Sequence, residues 1–240
     1  MEKLFEELDY RETPIGELIL QRRRYLQLDN QVVYEVKLGD SFLMSSLFHV
    51  VEEALATLGL DALAEGTEAD VVCGGLGLGY TALAALEHPS LRSIIVVEAL
   101  DAVIDWHQQG LVPLGPELTA DARCRFAHGD FFKLAADADC GFDPAEAGRK
   151  FHAVLLDIDH SPRNLLSPDN AAFYQPEGLA KLAAQLHPGG VFALWSDDPP
   201  DDAFLTALRA VFATVEAHVV DFANPLLEKS SASTVYVAAL

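Results

Sequence analysis

The residues best suited to chemistry in this sequence are acids that stand at or just after the ends of short apolar runs. Glu98 and Asp157 directly follow apolar runs, and Asp130 and Asp197 stand within three residues of the ends of two further runs, 123–127 and 191–195. Carboxylates can accept hydrogen bonds from hydroxyl and amino groups, or bind a cation and take up its proton. If the apolar runs are neighbouring strands, these acids form one polar site for a small molecule. Any one of them alone is also compatible with a turn residue or a helix cap.

A glycine-rich turn, GGLGLGY, precedes Glu98 and follows another apolar run. Gly75, Gly77 and Gly79 allow the backbone to turn sharply and to approach a ligand closely, although glycines also serve turns without function. Glu98 lies nineteen residues after Gly79. In α/β proteins that bind dinucleotides or adenosyl groups, an acid at about this distance accepts hydrogen bonds from ribose hydroxyls. The spacing favours an adenosine-containing ligand, and the turn lacks the Lys-Ser/Thr pair of a P-loop.

The elements that would position these residues alternate between strands and helices. We predict strands near 70–73, 93–97, 123–127, 151–156, 191–195, 215–221 and 234–238, with helices near 47–58, 80–86, 102–108, 176–186 and 202–212. This alternation predicts a Rossmann-like α/β fold, with a mostly parallel seven-stranded sheet and helices on both faces. Ligands of such sheets bind beyond the carboxyl ends of the strands, where the acids and the glycine turn would meet.

The beginning of the chain has a different pattern, because it shows no helical period. Segments 17–20 and 32–36 indicate strands separated by turn signals. We therefore predict a small N-terminal β-strand domain at 1–46 and a larger α/β domain at 47–240. A helical pattern opens the larger domain, and we expect Gly59 to end that helix.

Composition limits the partners and the location of the protein. Its formal charge of −21 comes from 37 acids against 16 bases, which argues against nucleic acid as a partner. No apolar run reaches the roughly eighteen residues of a membrane span, and the N-terminus is charged, so we expect no membrane association and a cytoplasmic location. The three cysteines do not have metal-site spacing, and we expect no metal. The basic run at 22–24 predicts a solvated strand face or a subunit contact, and we expect a homodimer.

Several segments resemble the spermidine synthase-like branch of the class I S-adenosylmethionine-dependent methyltransferase superfamily. The matching segments are GGLGLGYT, VVE, HGDFF, LLDIDHSP and AAFYQPEGLAKLAAQLHPGGVFAL, together with LDN before GDSF near the N-terminus. The resemblance covers nearly the whole chain. It implies the class I methyltransferase fold, with the small β-domain in front of it.

The resemblance also implies roles for individual residues. Residues 75–79 would lie along the amino-acid and sulfur portion of S-adenosylmethionine or its decarboxylated form, and Glu98 would hold the ribose. Asp130 would receive the adenine amino group, with Phe131 beside the ring. Asp157 would face the reacting amine.

The sequence departs from the polyamine-forming members at the positions that contact their amine substrate. Those members carry a G-G-G-D-G-G turn whose Asp contacts an amine, whereas the turn here contains Leu78 and no carboxylate. Their amine-contacting Tyr-Gln and Tyr-His pairs align with Ile15-Gly16 and Met44-Ser45. The second Asp of their D-x-x-D-P motif is replaced by His160, with Asp159 shifted by one position. The residues expected to bind the cofactor are retained, whereas the residues that contact the diamine in the polyamine-forming members are replaced.

The acceptor site is expected around Asp157 and His160, which we predict to be catalytic. An amine is protonated in water, so Asp157 would bind it and take up its proton, with Asp159 and Tyr174 also contacting the acceptor. A phenol or an acid would instead need His160 as a base, although this histidine is also compatible with a loop residue that faces water.

The leading hypothesis is a transferase that uses S-adenosylmethionine or decarboxylated S-adenosylmethionine to alkylate a small amine acceptor. The sequence leaves methyl transfer and aminopropyl transfer both open. One alternative is a catalytically silent binder of adenosyl nucleosides or a scaffold subunit. A third interpretation, an NAD-dependent oxidoreductase, is weaker because the turn lacks the third glycine of G-x-G-x-x-G.

Overall fold

Four antiparallel strands form the first sheet of the computed structural model, which describes residues 3–227 and 229–240. The strands are β1 (Phe5–Thr13), β2 (Gly16–Tyr25), β3 (Gln31–Leu38) and β4 (Ser41–Ser45), paired in sequence order. Leu18, Leu20 and Val36 are fully buried and belong to the main core. Alternation of these residues with more exposed ones gives the sheet one apolar face, which packs onto the rest of the molecule.

Within the described residues, seven strands form the second sheet. They are β5 (Ala69–Gly74), β6 (Leu91–Glu98), β7 (Cys124–His128), β8 (Phe151–Leu156), β9 (Leu186–Ser196), β10 (Thr214–Asn224) and β11 (Lys229–Ala239). Their spatial order is β10-β11-β9-β8-β5-β6-β7. The five strands from β9 to β7 run parallel, and β11 and β10 add an antiparallel hairpin at one edge. The predicted mostly parallel, seven-stranded sheet is confirmed.

Helices cover both faces of this sheet. They are α1 (Val50–Asp61), α2 (Tyr80–Glu87), α3 (Asp101–Gln108), α4 (Gly115–Ala120), α5 (Phe131–Ala136), α6 (Pro176–Ala183) and α7 (Asp202–Arg209). The first four contribute to one apolar cluster and the last three to the other. Along β5, Val71 and Cys73 face the first cluster while Val72 faces the second. Burial on both faces is why these strands are continuously apolar in the sequence.

Helix α1 continues past Gly59 to Asp61, so the expectation that this glycine ends the helix was wrong. A Cβ placed on Gly59 would lie 2.7 Å from Leu155 Cδ2 and 3.0 Å from the Ala193 Cβ. Glycine is therefore required here by the close approach of the helix to β8 and β9. That approach fixes the position of the first turn of α1, which reaches the site described below.

The basic run at residues 22–24 is engaged within the N-terminal sheet. Arg22 forms an ion pair with Glu6 of the neighbouring strand at 2.6 Å, and Arg24 donates to the Asn30 carbonyl at 3.0 Å. In the part of the chain that the structure describes, no helix has the length and apolar character needed to span a bilayer.

Candidate functional site

A cavity of about 740 Å³ opens at the carboxyl ends of the parallel strands. Its walls also include residues of the N-terminal sheet, the first turn of α1 and the β10–β11 hairpin. Of the strand-end acids, Glu98, Asp130, Asp157 and Asp197 all line it. The volume falls in the range of about 300–1,000 Å³ that is typical of small-molecule sites. The structure thus brings four acids from separate strand ends to one concave site.

The glycine turn between β5 and α2 forms one wall of this cavity. Gly75 and Gly79 have φ values of 94° and 98°, a region that other residues avoid. A side chain at Gly75 would collide with the backbone carbonyl oxygen of Asp157. Glycine is therefore needed both for the turn and for its contact with the end of β8.

His107 of α3 supports the same turn from behind. Its Nε2 donates to the Gly77 carbonyl at 2.9 Å, because a carbonyl oxygen can only accept. The side chain is fully buried, and burial lowers its pKa to about 4. The imidazole is accordingly neutral at physiological pH. Its proton is on Nε2, which donates the hydrogen bond to the turn. A single histidine in a short helix carries no distinguishing signal, so the role of His107 is not predictable from the sequence.

Glu98 lies at the end of β6 and is 9% exposed. One carboxylate oxygen accepts from the Leu76 amide at 3.0 Å, and the other accepts from the Leu100 amide at 2.9 Å. Burial raises the pKa of this carboxyl, while the amide hydrogen bonds favour its charged form. Glu98 is thus held by the backbone in a fixed orientation at the cavity wall.

Asp130 is the N-cap of α5 as well as a residue of the cavity wall. Its Oδ1 accepts from the amides of Phe132 and Lys133 at 3.1 and 3.2 Å, and its Oδ2 lies 3.0 Å from the Lys133 ammonium. Phe131, which was expected beside an adenine ring, is only 2% exposed and stacks on Phe142 at 5.1 Å. Phe132 is more exposed and also lines the cavity, so it is the more accessible ring.

Asp157, at the end of β8, accepts from the Thr81 hydroxyl at 3.0 Å. Thr81 is buried in the first turn of α2 and fixes the orientation of the carboxylate. Burial raises the pKa of Asp157 to about 6, against the opposing effect of the Thr81 hydrogen bond. A carboxylate with this pKa is mostly ionised at pH 7 but is more basic than an ordinary aspartate. It is suited to accept a proton near neutral pH.

Glu52 is an acid of the site that sequence analysis missed. It projects from the first turn of α1 and lines the cavity. Burial, followed by the negative charge of Asp157, raises the pKa of Glu52 to about 8. Two carboxyl groups that interact in this way titrate as a pair. Ionisation of Asp157 therefore disfavours ionisation of Glu52, and the pair favours a single negative charge over two.

Asp159 and Tyr174 were expected to contact the acceptor, but neither lines the cavity. They are 1% and 4% exposed, and the Tyr174 hydroxyl donates to Asp159 at 2.8 Å. Asp159 also accepts from the Leu166 amide and the Asn170 side-chain amide. This corrects the expectation: Asp159 organises the loop after β8, because three donors of that loop converge on it.

His160 does line the cavity, next to the same loop. Its backbone carbonyl accepts from the Asp197 amide at 2.8 Å, which ties the ends of β8 and β9 together. Its ring has no hydrogen-bond partner among residues 3–227 and 229–240. Those residues also include no cluster of three or more His, Cys, Asp or Glu side chains arranged to hold a metal ion.

The chain is an α/β protein with a Rossmann-like sheet, an acid-lined cavity at its strand ends and an added N-terminal sheet. The sequence matches no protein-family model. Spermidine synthase from Thermotoga maritima matches with a TM-score of 0.69 and 17% identity, over 97% of this chain and 72% of that chain. A spermidine synthase in complex with the transition state analogue AdoDATO matches with a TM-score of 0.71 and 17% identity, over 97% and 73%. The chain has the spermidine synthase fold, as its sequence motifs predicted.

Proposed function

We propose that this protein is a transferase that binds an adenosyl sulfonium and alkylates a small amine. The observation that carries the proposal is the shared cavity, which joins Glu98 and Asp130, at the strand ends expected to hold a nucleoside, to the acid pair of Glu52 and Asp157. The shared fold supports it, and one of the proteins with that fold was crystallised with a transition state analogue.

In this proposal, the donor lies across the carboxyl ends of β5 and β6. The glycine turn approaches its sulfonium end, Glu98 accepts from the ribose hydroxyls, and Asp130 accepts from the adenine amino group. When bound, an adenosyl sulfonium supplies an electrophilic carbon and a neutral thioether leaving group. The role of the protein is then to place the acceptor nitrogen and to remove its proton.

Asp157 is the proposed proton acceptor. An ammonium ion cannot attack until it loses a proton, and Asp157 is partly buried at the cavity wall and oriented by Thr81. Glu52 adds a second carboxyl group that can hydrogen-bond to the same nitrogen. His160 stays the proposed base for a hydroxyl acceptor, because this residue also lines the cavity.

The charge of the cavity favours decarboxylated S-adenosylmethionine over S-adenosylmethionine as the donor. Among the described residues, neither a lysine nor an arginine lines the cavity, whereas several acids do. A donor carboxylate would be placed near these acids without a cationic side chain as its partner. Removal of that carboxylate removes the unfavourable interaction, and aminopropyl transfer follows as the proposed reaction.

Side-by-side calorimetric titrations test the proposal, with S-adenosylmethionine, decarboxylated S-adenosylmethionine, methylthioadenosine and NAD. We expect the decarboxylated donor to bind more tightly than S-adenosylmethionine and NAD not to bind. Release of methylthioadenosine in the presence of an amine would then demonstrate transfer. Binding without any release would instead identify a silent nucleoside binder, and binding of NAD alone would exclude the proposed donor.

Substitution of Glu98 tests the ribose contact. We expect Glu98→Ala to weaken methylthioadenosine binding by about 1.5–3 kcal/mol, the usual loss for a charged hydrogen-bond partner. Because the substitution also frees two backbone amides, Glu98→Gln serves as a second variant that keeps one acceptor oxygen. Glu87→Ala, an exposed acid at the end of α2, is the matched control. An unchanged dissociation constant in both Glu98 variants would remove this residue from the site.

Substitution of Asp130 tests adenine recognition separately from helix capping. Asn is about as good an N-cap as Asp, so Asp130→Asn should leave the stability of the protein nearly unchanged. Its side chain can present an amide donor where the carboxylate accepts from the adenine amino group. We expect the variant to lose most of the preference for adenosine over inosine ligands, measured with methylthioadenosine and methylthioinosine. If the variant and the parent show the same preference for methylthioadenosine over methylthioinosine, Asp130 acts only as a helix cap.

A further inference from the structure

The acceptor side of the cavity is lined mainly by apolar side chains from three elements. Leu43 and Met44 come from β4, Trp195 from β9, and Phe222 and Leu226 from the β10–β11 hairpin. Leu226 is 42% exposed and lies in the turn of the hairpin, at the solvent side of this apolar chamber. A ligand that fills the chamber must therefore present an apolar body to it.

The acids that could bind a second cation in this chamber are few. Glu35 lines the cavity and is 2% exposed, but its carboxylate accepts from Gln21 at 2.6 Å and from Tyr25 at 2.7 Å. Arg23 lies 3.6 Å from the same carboxylate and balances its charge. Asp197 is solvent-exposed at the strand end. The charge of Glu35 is thus already satisfied inside the protein.

We propose that the acceptor is an amine with one cationic nitrogen on an apolar body, bound with its ammonium group at Glu52 and Asp157 and its body in the apolar chamber. This inference rests on the proposed function, and it narrows the acceptor from amines in general to apolar monoamines.

Charge balance at the acid pair supports a single cation. The negative charge of Asp157 raises the pKa of Glu52, so the pair favours a single negative charge, which matches one ammonium ion. A second ammonium placed among Leu43, Trp195 and Phe222 would lose hydration, and none of these three side chains offers it a counter-ion; Asp197, the acid at the adjoining strand end, is exposed to water. The same apolar surface stabilises an alkyl or aryl group by the hydrophobic effect.

Three ligands of matched length test this selection, namely hexylamine, 1,6-diaminohexane and 1-hexanol. Each is titrated by calorimetry into the protein saturated with methylthioadenosine, so the measurement does not depend on turnover. We expect hexylamine to bind at least about tenfold more tightly than either of the other ligands, because only hexylamine has one ammonium and an apolar end.

A pair of variants tests where the apolar end lies. Leu226→Glu places a carboxylate at the mouth of the chamber, and we expect it to improve the binding of 1,6-diaminohexane relative to hexylamine by about fivefold or more. Leu227→Glu is the matched control, since Leu227 is the next residue, is 57% exposed and does not line the cavity. It should leave the ratio of the two affinities unchanged.

The outcomes separate this inference from the proposed function. If methylthioadenosine binds and 1,6-diaminohexane binds as tightly as hexylamine, the monoamine inference is overturned and the transferase proposal stands. The inference is also overturned if no amine binds to the nucleoside complex, or if Leu226→Glu and Leu227→Glu have the same effect. If methylthioadenosine itself does not bind, the proposed function fails and this inference fails with it.

Discussion

Asp157→Asn should reduce the rate of amine alkylation by about 10²–10⁴-fold, the usual contribution of a general acid or base. The substitution removes both the negative charge and the proton acceptor from the end of β8. The Asn side chain can still accept from the Thr81 hydroxyl, so the local geometry should be kept. The measurement is the initial rate of methylthioadenosine release with decarboxylated S-adenosylmethionine and hexylamine, under saturating donor.

Donor affinity provides the internal control for this variant. Methylthioadenosine binding should change by less than about twofold, since Glu98 and Asp130 remain in place. Asp169→Asn, an exposed acid in the loop after β8, should leave the rate unchanged. His160→Ala should cost less than Asp157→Asn with an amine acceptor, but more with a hydroxyl acceptor. Full activity of Asp157→Asn would remove it from the mechanism and favour a nucleoside-binding scaffold.

The pH dependence of the parent enzyme gives an independent check of the same role. Asp157 accepts a proton only when it is ionised, and its pKa is raised to about 6. The value of kcat/KM for the amine, which reports the enzyme before the amine binds, should therefore rise with pH through about 6. A rate that is flat from pH 5 to pH 7 would indicate that the proton leaves by another route.

The sheet and the location of the site were predictable because they depend on local patterns. Parallel strands that are buried on both faces are continuously apolar, so β5, β6 and β8 stand out in the sequence. Strand β1 (Phe5–Thr13) did not stand out, because it carries charges along an edge that is largely exposed. Helix α5 was missed as well, since it is only six residues long.

The roles of individual acids were less predictable, because they depend on where each strand or helix ends and how it packs. Asp157 and Asp159 are two residues apart, which in a strand would place them on the same side. The strand ends at Leu156, so this rule no longer applies, and Asp159 turns into the loop. Similarly, the sequence shows Glu52 and Glu53 only as adjacent acids. The rotation of α1 on the sheet directs the first into the cavity and leaves the second exposed.

Glu52→Gln should make the protein more stable at alkaline pH, by about 2–4 kcal/mol at pH 9. In the folded protein the pKa of Glu52 is raised from 4.5 to about 8, so the folded state binds more protons than the unfolded state between these values. Stability therefore falls as pH rises through this range, with an upper bound of about 5 kcal/mol from 1.36 kcal/mol per pKa unit. Gln has no proton to lose, so the variant avoids this loss.

Thermal unfolding of the parent and the variant at pH 5 and pH 9 measures the effect. The two melting temperatures should be close at pH 5, where Glu52 is largely protonated, and the variant should melt several degrees higher at pH 9. Glu53→Gln is the matched control, because Glu53 is exposed on the same turn and pairs with His49 at 2.6 Å. It should show no such increase. Equal melting temperatures for parent and Glu52→Gln at pH 9 would contradict the burial of a second acid beside Asp157.

The same variant should lose affinity for the amine while it gains stability. Glu52 is protonated and uncharged near pH 6, so the substitution should leave the rise of the rate with pH near 6. When both carboxylates are ionised they repel each other, and a bound ammonium ion would offset this repulsion. We therefore expect Glu52 to destabilise the free protein and to strengthen acceptor binding, as residues of ligand sites commonly do. Hexylamine should therefore raise the melting temperature of the parent more than that of Glu52→Gln, with methylthioadenosine present in both samples.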